Sequence, residues 1–286
     1  MTTFIKKIFT IKKKQLYSRD IHFLMKRISK YLFISVLLIF MTSCSGYQKV
    51  LKSKDTDAIY NEAMRLYQNK SYSKALMLFD KVAVFVKGTD KEEPLNYHYA
   101  QCYYLSGDYV LANYYFRKYA KMYPFNERAE ECSFLAALCN YKQSPVYTLD
   151  QKPTLEAITA LQTFINSYPN SDKIEECNRY IDELRSKLEE KDFNIAMMYY
   201  RMEEYKAAIY CLKNVLKDYP ETDRKEEIYS YIVKAGYDYA KNSVESKKQE
   251  RFKEVIENYQ KLVSAFPNSK YTEELEEVYK QAMKNI

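Results

Sequence analysis

The chain has 286 residues, enough for one large domain or two small ones, and its 4 Gly and 7 Pro beside 31 Tyr and abundant Lys, Glu, Leu and Ala favour helices. A formal net charge of +7 invites a nucleic-acid partner, but residues 1–43 hold nine Lys/Arg and one acid, leaving 36 bases against 37 acids from Cys44 onward. A near-neutral body with interspersed signs has no electrostatic footprint for a phosphate backbone, so DNA and RNA are set aside.

Tyr31 to Met41 is an apolar run of eleven residues containing one Ser. A spanning helix needs about 20, so the run is too short to cross a membrane and stay there. Lys26, Arg27 and Lys30 precede it and the small residues Thr42 and Ser43 follow, the order of a secretory signal. A start at Met25 gives a leader of ordinary proportions, so residues 1–24 read as an over-long gene start. Met41-Thr42-Ser43-Cys44 resembles the bacterial lipobox, with Met41 in place of Leu and Ser43 in place of Gly or Ala. That resemblance implies cleavage before Cys44 and acylation of its thiol and new amine. The other reading is a buried cysteine after a core helix. One acyl chain binds only marginally, whereas two or three hold a protein durably on a membrane. Ser45, in place of the Asp that retains enterobacterial lipoproteins, points to the outer membrane. Residues 44–56 read as a lipid-anchored tether that, fully extended, reaches at most roughly 40 Å.

Self-similarity follows. Tyr72-x-x-Ala75-x-x-x-Phe79 aligns with Tyr109-x-x-Ala112-x-x-x-Phe116, Tyr205-x-x-Ala208-x-x-x-Leu212 and Phe252-x-x-Val255-x-x-x-Tyr259, and more weakly with Thr154-x-x-Ala157-x-x-x-Leu161. Four copies close on an aromatic and proline: Tyr123-Pro124, Tyr168-Pro169, Tyr219-Pro220 and Phe266-Pro267. A small residue lets two helices approach, an aromatic or aliphatic residue four positions on shares its face, and proline stops the helix. Each clear copy has a partner helix upstream with its own small residue, Ala63, Ala100 or Ala196, twelve residues before the next. This pattern resembles the tetratricopeptide repeat. It predicts an all-α superhelix of about five helix–turn–helix repeats, with repeats 1–3 over 57–171 and a long linking helix plus repeats 4–5 over 172–286. Lys142 to Pro153 reads as a loop inserted in the third repeat. Asp172 to Met202 reads as a helix of about 45 Å, capped by Asp172 with Glu175. Asn242 to Glu250 reads as a lengthened turn.

The Cys44 lipobox, the repeats, Asp150-Gln151-x-Pro153-Thr154-x-Glu156-Ala157 and the stretch from Tyr168-Pro169-Asn170-Ser171 to Leu188 together resemble the BamD family over residues 44–275. Its members are lipoproteins of the outer-membrane β-barrel assembly machinery. The resemblance implies a non-enzymatic scaffold, lipid-anchored on the cell outer membrane and facing the periplasm. It would dock on a BamA-like barrel protein beside other assembly-complex subunits. The N-terminal repeats would receive unfolded outer-membrane proteins and the C-terminal repeats would hold the BamA contact.

In tetratricopeptide arrays the first helix of each repeat lines a groove. That face carries Tyr60, Met64 and Tyr67 in repeat one and Tyr97, Gln101 and Tyr104 in repeat two, with Phe193, Met197 and Tyr200 equivalent in repeat four. Tyr and Met suit an extended apolar–aromatic peptide; the bland alternative is that they cover neighbouring helices. A clamp for a peptide carboxylate would need Lys and Asn there, and is set aside. Catalytic residues, a metal site, cofactors and a small-molecule substrate are not expected, because His98 is the one histidine after Cys44 and has no paired Cys or carboxylate. Cys102, Cys132, Cys139, Cys177 and Cys211 form no C-x-x-C and read as core thiols, one long-range pair being open. Glu273 to Lys284 reads as solvated helix surface. The rival function is a periplasmic repeat lipoprotein serving as adaptor in another cell-envelope process.

Overall fold

The computed structural model describes residues 47–286; the expected leader and Cys44 lie outside the described residues. All regular structure among them is α-helical. The chain divides into two compact units between Gly107 and Asp108.

The first unit holds a helical stretch at 47–51 and then α1 (Thr56–Gln68), α2 (Tyr72–Val86) and α3 (Glu92–Leu105). Asp55 starts α1 by accepting the Asp57 and Ala58 N–H groups, each at 3.0 Å, which satisfies two donors that have no partner inside the helix. α1 packs on α2, and α2 on α3. Ala63 and Ala75 are fully buried, as the small-residue spacing requires, and Ile59, Leu78, Phe79, Val82 and Leu95 fill the core. The expected tether is partly helical and fastened down. Lys81 donates to the carbonyls of Leu51 and of Ser53 (2.8 Å), and the Tyr47 hydroxyl reaches Met77 Sδ at 3.4 Å.

The second unit holds α4 (Tyr109–Met122), α5 (Ala129–Gln143), α6 (Lys152–Ser167), α7 (Ile174–Arg201), α8 (Tyr205–Asp218), α9 (Lys225–Lys241), α10 (Glu245–Ala265) and α11 (Thr272–Met283). Each packs on the next in chain order. The aromatic–proline signals act as read. Tyr123, Tyr168, Tyr219 and Phe266 each donate their N–H four residues back, to Tyr119, Phe164, Val215 and Leu262, before proline ends the helix.

A second device follows each proline by two residues. Asn126, Ser171, Thr222 and Ser269 accept, through the side chain, the N–H two residues on, and so turn the chain into α5, α7, α9 and α11. Ser171, not Asp172, therefore organises the start of α7; Asp172 instead lies 3.7 Å from the Lys173 ammonium. The recurrence of Asn, Ser or Thr two past Pro was the available signal.

The 28 residues of α7 make a rod of about 42 Å with no Gly or Pro to break it. It packs on α6 and on α8. Its later half contributes Phe193, Ala196 and Met197 to a cluster with Leu212, Val215, Ile228 and Ile232. The loop after α5 spans residues 144–151 and is braced. Lys187 donates to Ser144 Oγ (2.6 Å) and Lys191 to Leu149 O (2.6 Å), while buried Gln151 donates to Val146 O and Leu149 O. The lengthened turn expected at 242–250 is short, because α10 already begins at Glu245. α11 is solvated on one face only, since Leu275 and Ala282 are buried with Val255, Ile256 and Leu262.

Candidate peptide-binding face

Tyr60, Met64 and Tyr67 recur at four- and three-residue intervals on α1, and all three are half-buried. Tyr97, Gln101 and Tyr104 repeat that spacing on α3, with Gln101 buried and the tyrosines half-buried. Two residues bring these faces together. The His98 ring lies 4.6 Å from that of Tyr67 and 5.3 Å from that of Tyr97. Lys91 forms an ion pair with Asp57 at 2.7 Å, and its ammonium stands 5.5 Å from the centre of the Tyr60 ring. The sequence shows His98 only as a histidine with no paired Cys or carboxylate, and Lys91, just before α3, carries no distinctive signal.

Gln101 Nε2 donates to the Tyr97 hydroxyl at 3.0 Å, so these two candidates support one another. Met64 and Tyr104 sit half-buried further along the same helix faces. Burial raises the Tyr60 hydroxyl above its ordinary pKa against the opposing pull of Lys91, so it stays a neutral donor at physiological pH. The result is a half-buried aromatic surface whose tyrosines carry hydroxyls, with its one amide, on buried Gln101, already engaged by Tyr97. Such a surface can hold an extended chain by ring contact and hydrogen bonding, without acid–base chemistry.

The equivalent face of the second unit behaves differently. Phe193 and Met197 are buried in the core cluster, and the Arg224 guanidinium stacks 4.7 Å from the Phe193 ring centre. Tyr200 is half-buried between Tyr205 and Tyr231. There the residues cover neighbouring helices.

Cys102, Cys139, Cys177 and Cys211 are free thiols, and Cys132 is buried. Burial pushes the Cys102 and Cys139 thiols up to about 12 and Cys177 up to about 11, far from a reactive thiolate at neutral pH. Among the described residues no group of three or more His, Cys, Asp or Glu is placed to hold a metal ion, and no helix is long and apolar enough to cross a membrane.

A family model described as "YfiO: Outer membrane lipoprotein" matches residues 52–248. The outer membrane protein assembly factor BamD of Pasteurella multocida is 25% identical over 227 residues, covering 74% of this chain and 85% of that protein. The protein of the same name from Vibrio cholerae is 22% identical over 206 residues, covering 68% of this chain and 86% of its own. Among solved structures, the TPR2AB domain of yeast Sti1 aligns with a TM-score of 0.40 and 12% identity over 80% of this chain and 98% of that one. The family match takes in the aromatic face of α1 and α3, the braced 144–151 loop and three of the four aromatic–proline turns, and on it the chain belongs to the YfiO family of outer membrane lipoproteins.

Proposed function

We propose that this chain is a lipid-anchored scaffold of the β-barrel assembly machinery, held at the outer membrane through Cys44. It docks on a BamA-like barrel protein with other assembly subunits. Unfolded outer-membrane proteins are received on the face formed by Tyr60, Met64, Tyr67, Tyr97, Gln101 and Tyr104. Membership of an outer membrane lipoprotein family and relatives named as assembly factors support the setting.

The observation that carries the client-binding part is the joining of the α1 and α3 tyrosine faces through His98 and Lys91. Barrel strands alternate apolar and polar side chains and end in aromatic girdles. Tyrosine rings offer such segments large contact area at low entropic cost, with hydroxyls for the exposed backbone.

The test is co-purification of the tagged chain from detergent-solubilised outer membranes, with a photo-crosslinking residue in place of Tyr67. A BamA-like protein in the eluate and adducts with unfolded barrel proteins are expected. Absence of the barrel protein sinks the assembly reading, and a different envelope protein in its place supports the adaptor. Co-purification without client adducts removes the groove assignment alone.

A further inference from the structure

The outer side of α2 carries one stripe at helical spacing, Lys74, Met77, Lys81 and Val84, with Phe85 beside it. The first half of this stripe is occupied by the chain's own N-terminal segment. The Lys74 ammonium stands 5.6 Å from the centre of the Tyr47 ring, the Tyr47 hydroxyl meets Met77 Sδ, and Lys81 holds the carbonyls of Leu51 and Ser53. The second half is bare. Val84 is 78% exposed and Phe85 65%, two large apolar side chains side by side on a helix whose other face is core.

We infer that this bare end of α2 and the fastened segment at 47–54 together form a lipid-facing surface that lays the first unit against an anionic bilayer. The inference rests on Cys44 being the anchor. Three residue steps separate Cys44 from Tyr47, so at most about 11 Å of chain lies between the acylated residue and the point where Tyr47 is fastened to α2. With that much slack, the side of the unit bearing the segment cannot turn far from the membrane.

The charge agrees. Residues 47–54 include Lys49, Lys52 and Lys54, all exposed, with no acid before Asp55, and exposed Lys87 follows Phe85 just past the end of α2; the exposed acids nearest in sequence to these lysines and to Phe85 are Asp55, Asp80 and Asp90. Exposed lysines on the fastened segment and just past a pair of apolar side chains match the chemistry of an interfacial contact, in which apolar groups enter the headgroup boundary and ammonium groups meet anionic lipid. A protein partner would leave the short connection to the anchor and the run of lysines without a role. Lys81 is then a positioning residue, since it ties the segment to the helix and converts a flexible linker into a fixed mount.

The test uses the lipidated chain as bacteria make it, with Cys211→Ala to remove the half-buried thiol. A fluorophore is placed at Phe85→Cys or, as control, at the exposed Val146→Cys of the second unit. Each protein is reconstituted into phosphatidylethanolamine–phosphatidylglycerol vesicles containing doxyl-labelled lipid. Quenching at position 85 should exceed that at 146 several-fold and fall with added salt. It should also fall in Lys81→Met, or in Lys49, Lys52 and Lys54→Gln should the first variant misfold, while the protein still floats with the vesicles. Equal quenching at 85 and 146 in floating protein overturns the lipid-facing surface and leaves the anchor intact. A chain that does not float and carries an unmodified Cys44 by mass spectrometry overturns the anchor, and this inference with it.

Discussion

Lys70 and Glu203 adopt the same left-handed backbone, with φ of 58° and 62°, each two residues before the tyrosine that opens the following helix. Gly107 holds the corresponding place before Tyr109 with φ of 82°. A left-handed turn is what reverses the chain between paired helices, and a Cβ there crowds the following carbonyl. Lys70→Gly and Glu203→Gly should therefore each stabilise by about 0.5–1 kcal/mol in urea unfolding. Gly107→Ala should cost about 1 kcal/mol, although no atom within 4 Å would obstruct the new methyl.

Tyr219, at one aromatic–proline turn, donates its hydroxyl to Asp192 of α7 at 2.7 Å. Tyr219→Phe keeps the ring packed and removes that bond, so a loss of about 1 kcal/mol is expected. Asp192→Ala should cost a similar amount. A double-mutant cycle should show the two losses overlapping; full additivity would mean that the bond contributes nothing.

Alkaline pH should weaken the fold in a defined window. Tyr141 donates to Glu183, and that bond followed by burial pushes its hydroxyl up to about 12. Below the ordinary tyrosine value near 10 both folded and unfolded states are protonated and the contribution is complete. As pH rises from about 10 to about 12 the unfolded chain ionises first, binds fewer protons than the native state, and stability falls. Melting temperatures should decline across that range, and Tyr141→Phe should flatten the decline.

Thiol chemistry should report the core. At pH 8 a maleimide should modify half-buried Cys211 slowly in the native protein, since burial and the Asp192 carboxylate raise its thiol too, whereas fully buried Cys102, Cys139 and Cys177 should react only as the fold opens. Peptide mapping by mass spectrometry reads all four. Fast native modification of Cys139 would contradict the burial described.

The brace under the 144–151 loop should matter for its order. Lys187→Met with Lys191→Met removes the donors to Ser144 and Leu149. Proteolysis between α5 and α6 should accelerate several-fold while overall helicity is retained.

Helix identity was legible because the signals were local. Tyr72, Tyr109 and Tyr205 each begin a helix, and the four aromatic–proline pairs end one. What escaped depended on side chains far apart in sequence. The segment at 47–53 reads as linker until Lys81, 28 and 30 residues away from Ser53 and Leu51, supplies its donors. The turn expected at 242–250 is shorter because Glu245 to Arg251 hold no Gly or Pro and carry the helix back from Phe252. The candidate face was legible as a spacing of residue types. Its joining through His98 was not, because a ring contact between α1 and α3 leaves no periodic trace.

The unbroken run of α7 has a consequence for how the second unit comes apart. Stacked repeats ordinarily open piecewise, since each touches only its neighbours. Here one continuous hydrogen-bonded helix packs on both α6 and α8, so loss of either contact frays the backbone that supports the other. Hydrogen exchange should then find amides near Leu184 and near Ala196 opening with the same free energy, as one cooperative block where two independent ones would otherwise form.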